Sequence, residues 1–280
     1  MEQIQDLMKS SWRQTRRLGW GAAISIAVFS GAGLLAPGLM YPGVNSAVNI
    51  QPNDLLNFLL GIPLLLVPVL LFREEKKIGL LLLPGAVLYN FYNYLAYTIG
   101  LPFQVFTIGY ILILALLLAL LYQTLKTQDP DLIRDKLNHQ VPARFSGWLV
   151  TLFGVLFIGR SAGIFWDAAA GRNPLPPTEI GVLTADILLS LVLISGGILL
   201  IRRKPLGYIL GPGIMLAVSA LFLGVILLVL IQPLFTGTPL DVEALLTLLV
   251  MSLIFWIPAW LFLSGTLRGL GPTHQKIPQS

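Results

Sequence analysis

The chain has 280 residues, of which 56% are hydrophobic and only 11% charged, with a mean hydropathy of +0.82. A water-soluble domain carries roughly 25% charged residues, so this composition excludes a soluble globular fold and points to a bilayer as the solvent. The net charge of +5 comes from basic residues bordering apolar runs, a topology pattern rather than a nucleic-acid footprint, and the lack of cysteine excludes disulfides, thiolate catalysis and Cys-ligated metals.

A helix crosses a hydrocarbon core of roughly 30 Å with about 20 mostly apolar residues. Eight runs qualify: 19–41, 55–72, 78–101, 103–125, 146–166, 180–201, 206–233 and 240–264. They are continuous rather than alternating, and backbone groups in lipid must be bonded internally, so they are expected to be helices. The expected fold is an all-α membrane protein, one transmembrane domain over 1–280 with eight transmembrane helices.

The N-terminal segment 1–18 places Ile4, Leu7, Met8 and Trp12 at helical spacing with Lys9, Arg13 and Arg16 between them. It reads either as an amphipathic helix on the inner leaflet or as a solvated flank that only sets topology. The apolar run that follows exceeds a signal-peptide core and reads as a first span. In that span Ala23, Ala27 and Gly31 form a small-residue stripe for close helix packing. Asp54 opens the second span, and Pro63 and Pro68 inside it, like Pro84, Pro212 and Pro258 later, are expected to bend their helices.

The third span carries Asn90, Asn93, Tyr94 and Tyr97 within an arc of about 100°. They form either a polar pocket wall or interhelical hydrogen bonds, and Tyr97 alone also fits an interfacial belt. Tyr110 in the fourth span falls at similar depth, and from Ile111 to Leu121 that span has no polar side chain. In the linker 126–145, Asp129-Pro130 reads as an N-cap and first-turn pair opening a short helix with Leu132, Ile133 and Leu137 on one side.

Arg160 lies six residues before Trp166 in the fifth span, and Asp186 seven residues after Glu179 in the sixth. At 1.5 Å per residue both sit roughly 9–10 Å below the same boundary, on consecutive antiparallel helices. A charge at the bilayer centre costs about 2.5–3.5 kcal/mol on insertion scales, so the two are expected to pair. The pair is either the floor of a ligand cavity or a structural clamp. In the seventh span Gly213, Ala217, Ala220 and Gly224 form a second small-residue stripe, and Thr238-Pro239, with Asp241 as capping partner, is expected to start the eighth.

Charge orients the whole. Of 18 Lys and Arg, sixteen fall in the segments that would be cytoplasmic if both termini are, leaving Arg160 in a span and Arg172 alone in an outer loop. Lys and Arg near span ends resist translocation, so both termini are expected in the cytoplasm of a multi-pass cell-membrane protein. His139 and His274 then lie on that inner side. Arg160, Asp186, Asn90, Asn93, Tyr97 and Tyr110 all fall in the outer half, with Asp54 at its edge, while no charged residue lies in the inner half of a span.

The chain also shows self-similarity. Arg16-Arg17-Leu18-Gly19-Trp20 matches Arg144-Phe145-Ser146-Gly147-Trp148 at an offset of 128, and Pro84-Gly85 matches Pro212-Gly213 at the same offset. Asp54-Leu55 matches Asp186-Ile187 with a four-residue gap. Two tandem four-helix repeats, 19–125 and 146–264, are expected, related by a pseudo-two-fold axis along the membrane normal. Chance is the competing reading, because Gly, Leu and Pro are common in such a chain.

The run Leu88-Tyr-Asn-Phe-Tyr-Asn-Tyr-Leu-Ala-Tyr-Thr-Ile-Gly100, with Asp54-Leu55, Asp186-Ile187 and the turn Arg203-Lys-Pro205-Leu-Gly207-Tyr208, resembles an uncharacterised family of prokaryotic polytopic integral membrane proteins with a YNYxxYxxG-like third span. The resemblance covers roughly residues 50–230 and implies a fold and a location rather than an activity; Arg160 has no clear counterpart in the family pattern.

Function reads, first, as a non-enzymatic membrane protein with an outward-facing polar pocket. The pocket would bind a small ligand, a lipid head group or a partner helix through Asp186, Arg160, Asn90, Asn93, Tyr97, Tyr110 and Asp54. The second reading is a secondary transporter built from the repeat, against which stands the apolar inner half. A membrane enzyme is third, since the chain has no Walker loop, HExxH, GxSxG or dinucleotide fingerprint. No cofactor, metal or nucleic-acid partner is expected; the bilayer is.

Overall fold

The computed structural model describes residues 2–42, 47–71 and 78–271, with side chains from Trp12 onward and Ala47 excepted. Eight helices are long and apolar enough to cross a membrane: Trp12–Leu35 (the apolar part of a helix from Glu2), Gln51–Leu71, Ile78–Gly100, Val105–Lys126, Ala143–Ala169, Pro177–Ile201, Pro205–Thr236 and Val242–Leu270. They are called the first to eighth spans below. No strand occurs among the described residues. The chain is a multi-pass helical membrane protein. The side chains of the N-terminal segment up to residue 11, the basic turn with Arg73, Lys76 and Lys77, and the tail with His274 and Lys276 lie outside the described residues.

Several boundaries differ from the sequence reading, each for a local reason. The first span ends at Leu35, not residue 41, because Pro37 disfavours a helical Ala36 (φ −137°, ψ 58°); a separate turn, Pro37–Met40, follows. The second span starts earlier than expected, at Gln51, with Pro52 in its first turn where a missing N–H costs nothing. Its helix widens to π geometry over Asn57–Gly61, just ahead of Pro63, which cannot donate to the carbonyl one turn back. The eighth span starts at Val242 with Asp241 as its N-cap, accepting from the Ala244 N–H at 2.9 Å, so Thr238-Pro239 stay in the connection.

The linker helix Pro130–Leu137 is capped as read, with the Asp129 carboxylate accepting from the N–H groups of Asp131 and Leu132. Ile133 and Leu137 are buried but Leu132 is exposed, because only one narrow face of so short a helix meets the bundle. That helix and the turn after it lie against the seventh and eighth spans. Tyr208 Oη donates to Asn138 Oδ1 at 2.8 Å, and Gly265 and Gly269 face the backbone of Gln140 and Lys136.

Consecutive spans run antiparallel, so the connections sort into two ends. One end carries Lys126, Arg134, Lys136, Arg144, Arg202, Arg203 and Lys204. The other joins Met40 to Gln104, whose side chain donates to its carbonyl at 3.0 Å, and sets Gly100 against Thr178. Arg172 lies at this second end and pairs with Asp167 at 2.7 Å.

Buried apolar side chains form two clusters, one within the first four spans and one centred on the last four with the linker helix. The third span joins them. Of its most apolar window 61% is buried, against 22% for the fifth, which places the third at the centre and the fifth at the edge. It crosses the seventh span at Gly85 and Gly213, whose backbones come so close that a Cβ on Gly213 would stand 2.8 Å from the Gly85 nitrogen. Two glycines at one crossing are what this approach requires.

Candidate functional site

The polar residues of the non-basic half gather in two places, on opposite sides of the third span. The first is closed. Asp54 is 1% exposed and sits between the first, second and third spans. Tyr41 donates to Asp54 Oδ2 at 2.5 Å and Tyr97 to Oδ1 at 3.2 Å. Ser30 joins Tyr94 at 3.1 Å and accepts from Asn57 Nδ2 at 2.9 Å. The rings of Tyr94, Tyr97 and Tyr110 pack on one another with centroids 5.7–6.0 Å apart, and Phe29 closes on Tyr110 at 5.5 Å. Gly33 makes the closure possible, since a Cβ there would collide with the Asp54 carboxylate and the Tyr41 hydroxyl.

No Lys or Arg pairs with Asp54 among the described residues. Its carboxyl is held by neutral hydroxyls, the phenols of Tyr41 and Tyr97 and the side chain of Ser30, in place of the water that a buried polar group would otherwise need.

The second place is open. A cavity of about 1030 Å³ lies between the third, fifth, sixth, seventh and eighth spans and reaches the start of the second. Its polar wall holds Arg160, Asp186, Tyr92, Asn93, Tyr89 and Asn53. Arg160 and Asp186 form the ion pair that their depth implied, at 3.1 Å, with the Asp186 side chain 14% exposed and that of Arg160 57%. Tyr92 donates to the other carboxylate oxygen at 3.0 Å. Asp186 is therefore engaged on both oxygens, while Arg160 spends one N–H of its five-donor fork on it. Tyr97 also lines this cavity and so touches both places.

The facing wall is apolar: Phe157, Leu221, Phe222, Val225, Leu248 and Met251. Below it the rings of Phe153, Phe222 and Phe255 meet, with Phe153 and Phe255 only 5.2 Å apart, and close the cavity toward the basic end.

Of the seven residues singled out in the sequence, Arg160, Asp186, Asn93 and Tyr97 line the cavity. Asp54 and Tyr110 belong to the closed cluster. Asn90 is fully buried and bridges helices, donating to the Gly61 carbonyl at 3.0 Å where the π turn ends; its Oδ1 has no partner among the described residues. The reading of Tyr97 as a belt residue gives way to a buried ring. Sequence reasoning missed Tyr41, Ser30 and Asn57 around Asp54, and Tyr92 and Tyr89 in the cavity wall. Asn57 stands three residues after Asp54, a same-face signal that was there to be read. Tyr41 gave no signal, because it folds back from an irregular turn.

Among the described residues no three of His, Cys, Asp or Glu come together as metal ligands. Compared with protein families, curated proteins and solved structures, the chain matches none.

Proposed function

We propose that this is a non-enzymatic membrane protein that binds an amphipathic small molecule in the cavity beside the Arg160–Asp186 pair. The single observation carrying the proposal is the cavity's division into a hydrogen-bonding wall and an apolar wall. Its volume of about 1030 Å³ lies at the upper edge of the roughly 300–1,000 Å³ of small-molecule sites. A polar solute would leave the wall of Phe157, Val225 and Met251 wet, and an apolar one would cover the N–H groups that Arg160 does not spend on Asp186 without bonding them.

The same reading places both termini in the cytoplasm, so the cavity faces the outer half of the membrane; the sorting of basic residues to one end supports this. It also takes the chain as two tandem four-helix repeats. Two observations support the duplication. Gly85 and Gly213, equivalent at the offset of 128, meet each other, as residues on a two-fold axis do. Gly19 packs on Val69 and Gly147 packs on Gly197, and both members of this pair are displaced by the same 128.

Thermal unfolding of the full chain in detergent, across a panel of water-soluble amphiphiles, tests the binding reading. A ligand that raises the melting temperature of the wild type should lose its effect in Val225→Trp, which fills the apolar wall, and in Asn93→Ala. Equal shifts in all three proteins would sink it. The duplicated architecture also favours a second reading, a secondary transporter. Uptake into proteoliposomes that disappears in Asp186→Asn would establish that reading over simple binding.

A further inference from the structure

Among the described residues the cavity has one side without a wall. The fifth and eighth spans touch at Phe153 and Phe255 and then part. Beyond that contact, Ser161 is the only buried residue of the fifth span between 155 and 170. In the eighth span none is buried between 241 and 251. A Cβ on Gly159 or Gly163 would meet nothing within 4 Å. Between the two spans lies the face of the seventh, where Val225 lines the cavity and is still 42% exposed. The opposite unit lacks such a gap: there the first and fourth spans close on each other, Phe29 against Tyr110 and against Gly109.

We propose that this gap is a lateral entrance from the bilayer, and that the cavity takes a membrane glycerophospholipid, held through its phosphate. The inference rests on the amphipathic-ligand reading and names its substrate class. The chemistry of each part fits. The gap is apolar on both lips, with Phe157 on the fifth span and Leu248 and Met251 on the eighth, so an acyl chain entering sideways stays in apolar surroundings. A water-soluble ligand gains nothing from such an entrance.

The head group is assigned by Arg160. Asp186 already accepts from Tyr92 and Arg160, whereas the more exposed guanidinium keeps N–H groups for an oxyanion, the geometry at which arginine binds phosphate. Trp166, six residues further along the same helix and 69% exposed, is an amphipathic ring of the kind that sits at head-group level. Arg160 lies about 9 Å below it, a depth that a long side chain bridges by extending toward the interface. Asn49, Asn53 and Thr178 at the rim offer hydrogen bonds to glycerol and ester oxygens.

The test uses the full chain, delipidated in a neutral detergent. Phosphatidylglycerol, diacylglycerol (the same acyl chains without the phosphate) and soluble glycerol phosphate are added separately, and bound lipid is read by native mass spectrometry alongside thermal unfolding. One phosphatidylglycerol per chain should be retained in preference to diacylglycerol, with no effect of glycerol phosphate. Arg160→Gln should weaken retention by about tenfold or more, the loss of a charge-assisted contact. Met251→Trp blocks the gap without touching the ion pair and should weaken it too, so a folding defect in one variant leaves the other decisive.

Retention unchanged in both variants would mean annular lipid only and overturn the proposal. Glycerol phosphate competing as well as the lipid would mean a soluble-anion site and overturn the lateral entrance. Amphiphiles that bind through Val225 and Asn93 while phosphatidylglycerol does not would overturn the lipid assignment and leave the broader reading standing. Binding by neither class would end both.

Discussion

A methyl group at Gly85 tests the central crossing. The Cβ of Gly85→Ala would overlap the Gly213 carbonyl, and the mirror change Gly213→Ala would put a Cβ 2.8 Å from the Gly85 nitrogen and 3.1 Å from the Pro84 side chain. A relaxed carbon–oxygen contact is about 3.3–3.6 Å, so the spans must separate by about 1 Å or more. None of these obstacles is a flexible side chain: two are backbone and the third is a rigid proline ring, on helices already held by neighbours on either side. Overpacking of this kind costs about 1–3 kcal/mol. At roughly 2–4 °C per kcal/mol for a chain of this size, melting should fall by about 2–12 °C. Gly159→Ala is the matched control: its Cβ meets nothing, and removing glycine from a helix gains up to about 1 kcal/mol. The assay is thermal unfolding of the three variants in one detergent. Gly85→Ala melting at or above Gly159→Ala would refute the close crossing, and with it the support that crossing lends to the repeat.

Tyr41→Phe removes the 2.5 Å donor to a carboxylate that is 1% exposed and should cost about 1–3 kcal/mol, more than Tyr97→Phe at its 3.2 Å contact; detergent unfolding curves rank the two. Asp241→Ala removes the cap of the eighth span and should cost about 1 kcal/mol, visible as a lower melting temperature with cavity ligands still bound. Because the chain has no cysteine, single substitutions report orientation cleanly. Arg172→Cys should react with a membrane-impermeant maleimide in intact cells and Lys136→Cys only after permeabilisation; the reverse pattern would invert the topology. Arg160→Ala leaves Asp186 with Tyr92 alone, and since the guanidinium is 57% exposed the stability loss should stay below about 1 kcal/mol while lipid retention drops.

The eight spans were legible because hydropathy is a property each residue contributes independently of its neighbours in space. Lipid selects for it along the whole run, so length and composition alone identify a crossing helix. The local stops were legible in part: Asp129-Pro130 opened its helix where expected, but Pro37 cut the first span short and the π turn before Pro63 passed unseen. The Arg160–Asp186 pair was legible too, because two charges on consecutive helices at one depth have few other partners.

What the linear chain did not hold was rotation. In water a helix buries its apolar face, and periodicity reveals which face that is. In a membrane the lipid-facing and helix-facing sides are equally apolar, so the pattern carries no phase. Asn90, Asn93, Tyr94 and Tyr97 therefore read as one polar face, and the packing splits them. Tyr94 turns to the Asp54 cluster, Asn93 to the cavity and Asn90 to the Gly61 carbonyl, with Tyr97 between the first two. Asp54 and Asp186 looked equivalent by sequence. Tertiary structure alone decided that the first is sealed beneath Tyr41, where the first and fourth spans close, and that the second opens on a cavity, where the fifth and eighth part.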